Sequence, residues 1–225
     1  MTNTLHRFGD AASFRDDFVV FAVPSRGNND KDSVPKLRRF LEMALPFHPV
    51  NLGDARHGGA LRPSRSMNPT AHWKRDAQPD FAAVIAGLDA PTTAAAVFDN
   101  RPAAEDFVKA VAAADLGLSV NISTSIEGAE QCCDTAGICR HSVGYSLGFE
   151  GKTEYLPNGD VLKISTMCGH GMVSASLAKK MIDWVKEGRR TPEQAVTYLQ
   201  RFCSCGVFNP SRARRILEEC RSRSR

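Results

Sequence analysis

Three cysteines and a histidine stand in two short clusters, Met167-Cys168-Gly169-His170-Gly171 and Cys203-Ser204-Cys205-Gly206. Thiolate and imidazole are the donors that zinc and iron–sulfur clusters take. Gly169, Gly171 and Gly206 let the backbone turn and approach a bound group closely. A thiol beside a helix N-terminus also ionises more readily, because the unpaired N–H groups favour an anion. Cys168, Cys203 and Cys205 are therefore the first candidate ligands. His170 is either a fourth ligand or a proton donor.

A further group, Cys132, Cys133 and Cys139, lies upstream. Cys133 or Cys132 is the most plausible additional thiolate, provided the helix that carries it borders the same end of the sheet. No Cys-x-x-Cys pair exists in the chain, so the pattern is neither a zinc finger nor a common ferredoxin spacing. Buried free cysteine also fills gaps in cores. That reading suits Cys220, on an apolar helix face with Ala213, Ile216 and Leu217. It suits glycine-flanked turns poorly.

The elements that must position these residues follow from hydrophobic spacing. Phe18–Val23 reads as a buried strand, and residues 34–45 carry apolar side chains at helical spacing. Further strands are expected over 94–98, 118–122, 143–149 and 161–166, and helices over 102–114 and 126–136. Strands alternating with helices argue for an α/β fold with a mixed or mainly parallel sheet covered by helices. After Cys168 the pattern is helical throughout. Thr191-Pro192-Glu193-Gln194 is a capping box with proline at the first helical position, and Asn209-Pro210 repeats the cap-plus-proline signal. The expected organisation is a sheet region over 1–166 with a long polar loop at 50–80, and a C-terminal three-helix segment over 167–225 that carries the cysteines. If Gly188 closes a helical hairpin, residue 203 returns to the level of residue 168.

Other polar residues offer weaker chemistry. Asn121, Ser123, Thr124, Ser125, Tyr145, Ser146, Ser165 and Thr166 stand at expected strand ends, where hydroxyls could floor a polar pocket or merely cap. The 50–80 loop carries Asn51, Asp54, Arg56, His57, Arg62, Arg65, His72, Trp73 and Lys74. Its histidines could act as acid–base groups, and its arginines could clamp an anion. Glu150 and Glu154 are further acid–base candidates.

Bulk properties narrow the class. With 225 residues and 42% hydrophobic residues the chain can bury a core. No apolar run approaches the ~18–20 residues needed to span a bilayer. Met1–Asp17 lacks the apolar stretch of a secretory signal, so a reducing cytoplasm is expected, where seven cysteines serve as ligands or reactive thiols rather than disulfides. The formal charge is +4. It is concentrated in the arginines of 212–225, which read as a solvated helix end. With no other basic or aromatic signature, nucleic acid is not an expected partner.

Three functions compete. The first is an enzyme, a lyase or oxidoreductase, with a Cys-ligated centre, foremost a four-iron iron–sulfur cluster, with Zn²⁺ as the alternative. Its ligands would be Cys168, Cys203, Cys205 and Cys133, with Gly169, Gly171 and Gly206 cradling the group, and its substrate a small anionic molecule. The second is a metal-free enzyme with Cys168 as nucleophile and His170 or His141 as base. The third is a non-catalytic binding module stapled by zinc.

Overall fold

The computed structural model describes residues 5–60, 80–146, 148–203 and 205–224. Its centre is a sheet built on β1 (Phe18–Val23), which is buried along its whole length. β1 pairs antiparallel with β4 (Ala94–Phe98) on one side and β5 (Ser119–Ser123) on the other. β4 pairs antiparallel with β2 (Asn51–Asp54), and β2 with the short β3 (Gly58–Gly59). The order is β3-β2-β4-β1-β5. The register sets Val20 beside both Ala96 and Ile122.

This corrects the expected sheet: every pairing is antiparallel. Helix α1 (Ser33–Ala44) links β1 to β2, and α3 (Arg101–Ala114) links β4 to β5. Each connection steps over one antiparallel strand, giving two interleaved split β-α-β units in the strand order of the ferredoxin-like class. The misreading has a clear cause. Continuous apolar runs are the mark of strands buried on both faces, which is common for parallel sheets. Here an antiparallel sheet is also covered on both faces.

One face carries α1, α2 (Phe81–Ala86), α3 and α4 (Ile126–Ala136). Phe18, Val20, Ala22, Ala96 and Phe98 point into this layer. Its centre is aromatic, with the Phe107 ring 5.2 Å from Phe40 and 5.1 Å from Phe98. The other face carries α5 (Gly159–Ser165), α6 (Ala175–Lys186), α7 (Pro192–Leu199) and α8 (Pro210–Ser222). Val19, Phe21, Val23, Ala95 and Val97 meet Ile164, Met181, Ile182, Leu199, Ile216 and Leu217 there. Among the described residues no helix is long and apolar enough to cross a membrane.

Two expected strands are absent among the described residues. Residues 161–166 fall within α5 and its end, because Asn158 caps a helix: its Oδ1 accepts the Val161 N–H at 3.0 Å. Val161, Leu162, Ile164 and Ser165 are buried, which is helical spacing rather than alternation. Residues 143–149 have no regular structure where described, and Val143, Tyr145 and Phe149 are exposed. Their alternation finds no partner strand, and alternation makes a strand only when an edge accepts it.

Candidate metal centre

The first cluster follows α5. Cys168 and His170 lie in the turn between α5 and α6, not at a strand end. Gly169 adopts a left-handed φ of 76°, and a Cβ there would stand 2.9 Å from the Leu5 Cα and the His6 N. Only glycine allows the N-terminal segment to lie this close. That segment is tied down twice more. The Phe8 N–H donates to Thr166 Oγ1 at 2.9 Å, and Arg7 Nε donates to the Met167 carbonyl at 3.0 Å.

The second cluster lies between α7 and α8. The capping box of α7 is formed as expected, with the Gln194 N–H donating to Thr191 Oγ1 and the Thr191 N–H to Gln194 Oε1. α7 turns back along α6 through Gly188, whose φ is 73°. Gly206 then presses on the sheet: a Cβ there would stand 2.6 Å from the Gly53 Cα. Asn51 holds the same segment from β2, its Nδ2 donating to the Phe208 carbonyl at 3.0 Å.

These constraints bring the two clusters together. The ligand atoms of Cys168, His170 and Cys205 all lie within 4.8 Å of one another. Cys205 Sγ is 3.3 Å from His170 Nδ1 and 3.9 Å from Cys203 Sγ. Cys203 is not a member of the mutually close set, but it borders both Cys205 and Cys168. The three sulfurs are buried, while His170 is exposed at the rim.

Electrostatics concentrate one negative charge in this group. Hydrogen bonds from Cys203 and Cys205 hold the Cys168 thiol well below the usual thiol range, with a smaller contribution from His170 and against the cost of burial. The donors move the other way. Cys203 is pushed up to about 11, chiefly by its bond to Cys168. Cys205 is raised by Cys168 first and Cys203 second. His170 is raised by its bond to Cys168. Without metal, the shared hydrogen bonds thus favour the thiolate form at Cys168 and the protonated forms of Cys203, Cys205 and His170 around it.

Beneath it lies a buried charged cluster with no counterpart in the sequence reading. Arg7, Asp17 and Arg212 are all buried. Asp17 Oδ2 accepts from Arg7 Nη2 and, at 2.9 Å, from Arg212 Nη1. Asp17 Oδ1 accepts from Asn209 Nδ2 at 2.9 Å, and Asn209 also caps α8, as its position before Pro210 implies. Arg212 Nη2 reaches Ser13 Oγ at 2.8 Å and the Phe8 carbonyl at 3.0 Å. The arginine-rich end is thus not wholly a solvated surface. Arg215 also turns inward, with both oxygens of Asp16 accepting from its guanidinium. The signal was readable, since Arg212 lies four residues before Ile216 and so shares its buried face.

Other candidates fall elsewhere. Cys133 and Cys132 lie on α4, on the opposite side of the sheet, and the structure does not bring them to the group. Burial raises the Cys133 thiol, and its charged surroundings are Arg140, Asp134, Cys139 and Glu130. His57 is held between Asp54, at 3.2 Å, and Asp89, at 3.1 Å, and bridges β2 to the loop after α2. Arg62, Arg65, His72, Trp73 and Lys74 lie outside the described residues. The hydroxyls expected to floor a pocket cap and tie instead. Ser125 caps α4, Thr124 Oγ1 donates to the Phe14 carbonyl, and Ser123 accepts from Arg7.

The molecule is therefore an antiparallel α/β sandwich with a cysteine–histidine group that could hold a metal ion. Comparison with family models, with curated proteins and with solved structures finds no match for the chain.

Proposed function

We propose that this protein binds one metal ion, zinc by donor type, through Cys168, His170 and Cys205 with Cys203 alongside, and that the ion clamps the turn after α5 to the segment between α7 and α8. The observation that carries this is the approach of ligand atoms from two stretches 35 residues apart. Spacing favours a single ion over a cluster. With zinc–sulfur bonds of about 2.3 Å and zinc–nitrogen bonds of about 2.0–2.1 Å, a tetrahedron has sulfur–sulfur edges of about 3.8 Å and sulfur–nitrogen edges of about 3.6 Å. Here Cys205 Sγ stands 3.3 Å from His170 Nδ1 and 3.9 Å from the neighbouring Cys203 Sγ, and the ligand atoms of Cys168, His170 and Cys205 lie within 4.8 Å of one another. A four-iron cluster interposes several irons and sulfides between its thiolates, which must then stand farther apart.

Donors supplied mainly by the protein make a closed site, whose role is to hold the fold. The test is metal content of the full chain purified from medium holding both zinc and iron. Stoichiometric zinc, lost in Cys168→Ser and Cys205→Ser, supports the reading. Iron with inorganic sulfide and visible absorption supports a cluster enzyme instead. Protein with neither metal, and no uptake on adding zinc, sinks both. The cluster reading keeps one point in its favour. His170 is exposed, so a centre held by the three buried sulfurs would have an open side for a small anionic substrate. A nucleophilic role for Cys168 is disfavoured by its 1% exposure.

A further inference from the structure

Two guanidinium groups share one carboxylate beneath the cysteine group. Arg7 and Arg212 both donate to Asp17 Oδ2, and all three side chains are at most 2% exposed. Arginine stays protonated in proteins, so this cluster carries one positive charge in excess. Buried charge without a partner is strongly unfavourable. Asp16 and Asp10 act on Arg212 from outside the cluster, but among the described residues no carboxylate other than Asp17 hydrogen-bonds Arg7. Arg215 and Asp16 pair with each other, and Glu219 is shared by Arg215 and Arg15. Asp10 is exposed and screened by water. The remaining direction is the thiolate group: Arg7 binds the carbonyl of the residue before Cys168, and Arg212 Nη1 lies 3.8 Å from Met167 Sδ.

The excess charge has a matching count on the other side. A divalent ion held by two thiolates and a neutral imidazole is neutral. Held by three thiolates and an imidazole it carries one negative charge, each thiol having lost its proton to solvent as the metal–sulfur bond forms. We propose that Arg7 is the counter-charge and positioning residue of the centre, and that it allows Cys203 to join Cys168 and Cys205 as the third thiolate on one metal ion. This rests on the metal reading above and adds the number of thiolates and the residue that determines it. Arg7 acts in two ways. Its charge compensates the centre, and its Nε fixes the peptide that aims Cys168.

The test uses Co²⁺ as the probe on the metal-free, reduced full chain. The sulfur-to-cobalt absorption grows with the number of bound thiolates, and competition with a chelator gives the affinity. The wild type should show a three-thiolate band, and Cys203→Ser should lower it by one thiolate. Arg7→Met should lose roughly 10–100-fold in affinity, the usual effect of removing an outer-shell partner, and its band should fall to the two-thiolate level. Arg7→Lys keeps the charge and should restore the three-thiolate band with part of the affinity. A merely structural role for Arg7 would weaken binding without changing the band. An unchanged band in Cys203→Ser, or wild-type affinity and band in Arg7→Met, overturns the proposal. If Arg7→Met does not fold by circular dichroism, Arg7→Lys decides: a two-thiolate band there overturns it. Failure of the wild type to bind Co²⁺ or Zn²⁺ at all refutes the metal reading itself.

Discussion

The two faces of the sheet are stabilised by different means. On the α1–α4 face, Phe40, Phe98 and Phe107 fill the space with apolar side chains. On the α5–α8 face, an apolar layer surrounds a buried ion cluster and a group of sulfurs. The first face needs only the hydrophobic effect. The second contains polar groups whose burial is favourable only when each is satisfied. Cysteine shows the contrast most directly. On the first face, burial and nearby Glu105 push the Cys132 thiol up to about 12. On the second, two donating thiols pull Cys168 down despite its burial. The same residue type is filler on one side and a ligand candidate on the other.

The largest effects should separate the faces by mechanism. Phe107→Ala should cost about 3–5 kcal/mol, as large-to-small core changes do, and the loss by denaturant melting should be the same with or without zinc. Asp17→Ala should cost a similar amount, about 3–5 kcal/mol, because two guanidinium groups would then face each other in the interior. A loss below about 1 kcal/mol in Asp17→Ala would show that the second face does not depend on its ion cluster.

Metal should act on one face alone. Zinc at a hundred times its dissociation constant should stabilise the chain by about 2.7 kcal/mol, and Cys205→Ser should abolish that gain while leaving the response to Phe107→Ala intact. A zinc effect that survives Cys205→Ser would place the ion elsewhere.

The pH dependence gives a smaller but signed effect. His170 is raised in the fold, so its contribution to the metal-free protein is full below the ordinary imidazole value of about 6.5 and is lost as pH rises through the folded value. Cys168 is lowered, so its contribution is full above the ordinary thiol range and shrinks as pH falls toward the folded value. Metal binding as proposed would remove protons from His170, Cys203 and Cys205, all raised. The gain in melting temperature on adding zinc should therefore grow from pH 6 to pH 9. A flat difference would argue against these ligands. The smallest effect should come from Cys133→Ser, a loss of about 1 kcal/mol with zinc uptake unchanged.

Much of the second face could be read locally. The capping box at Thr191 and the Asn209 cap are short-range patterns, and each is formed as its spacing implies. The helical hairpin through Gly188, which the sequence offered only as a condition, is formed. What could not be read was direction. Phe18–Val23 is apolar on both faces, and such a run is the same whether its neighbours are parallel or antiparallel. The helix at 159–165 was hidden in a turn signature, because Asn-Gly-Asp serves a turn and a helix cap equally well.

The sequence by itself determined which residues are able to bind a metal, since side-chain chemistry is local, and it determined most of the helix ends, since caps span only a few residues. The tertiary structure alone decided which cysteines meet. Cys168 and Cys205 converge because Gly169 and Gly206 admit backbone contacts with the N-terminal segment and the sheet, whereas Cys133 is carried by α4 to the other side. It also decided that Arg7 and Arg212 belong inside, because only long-range packing sets an arginine from each end of the chain around one buried aspartate.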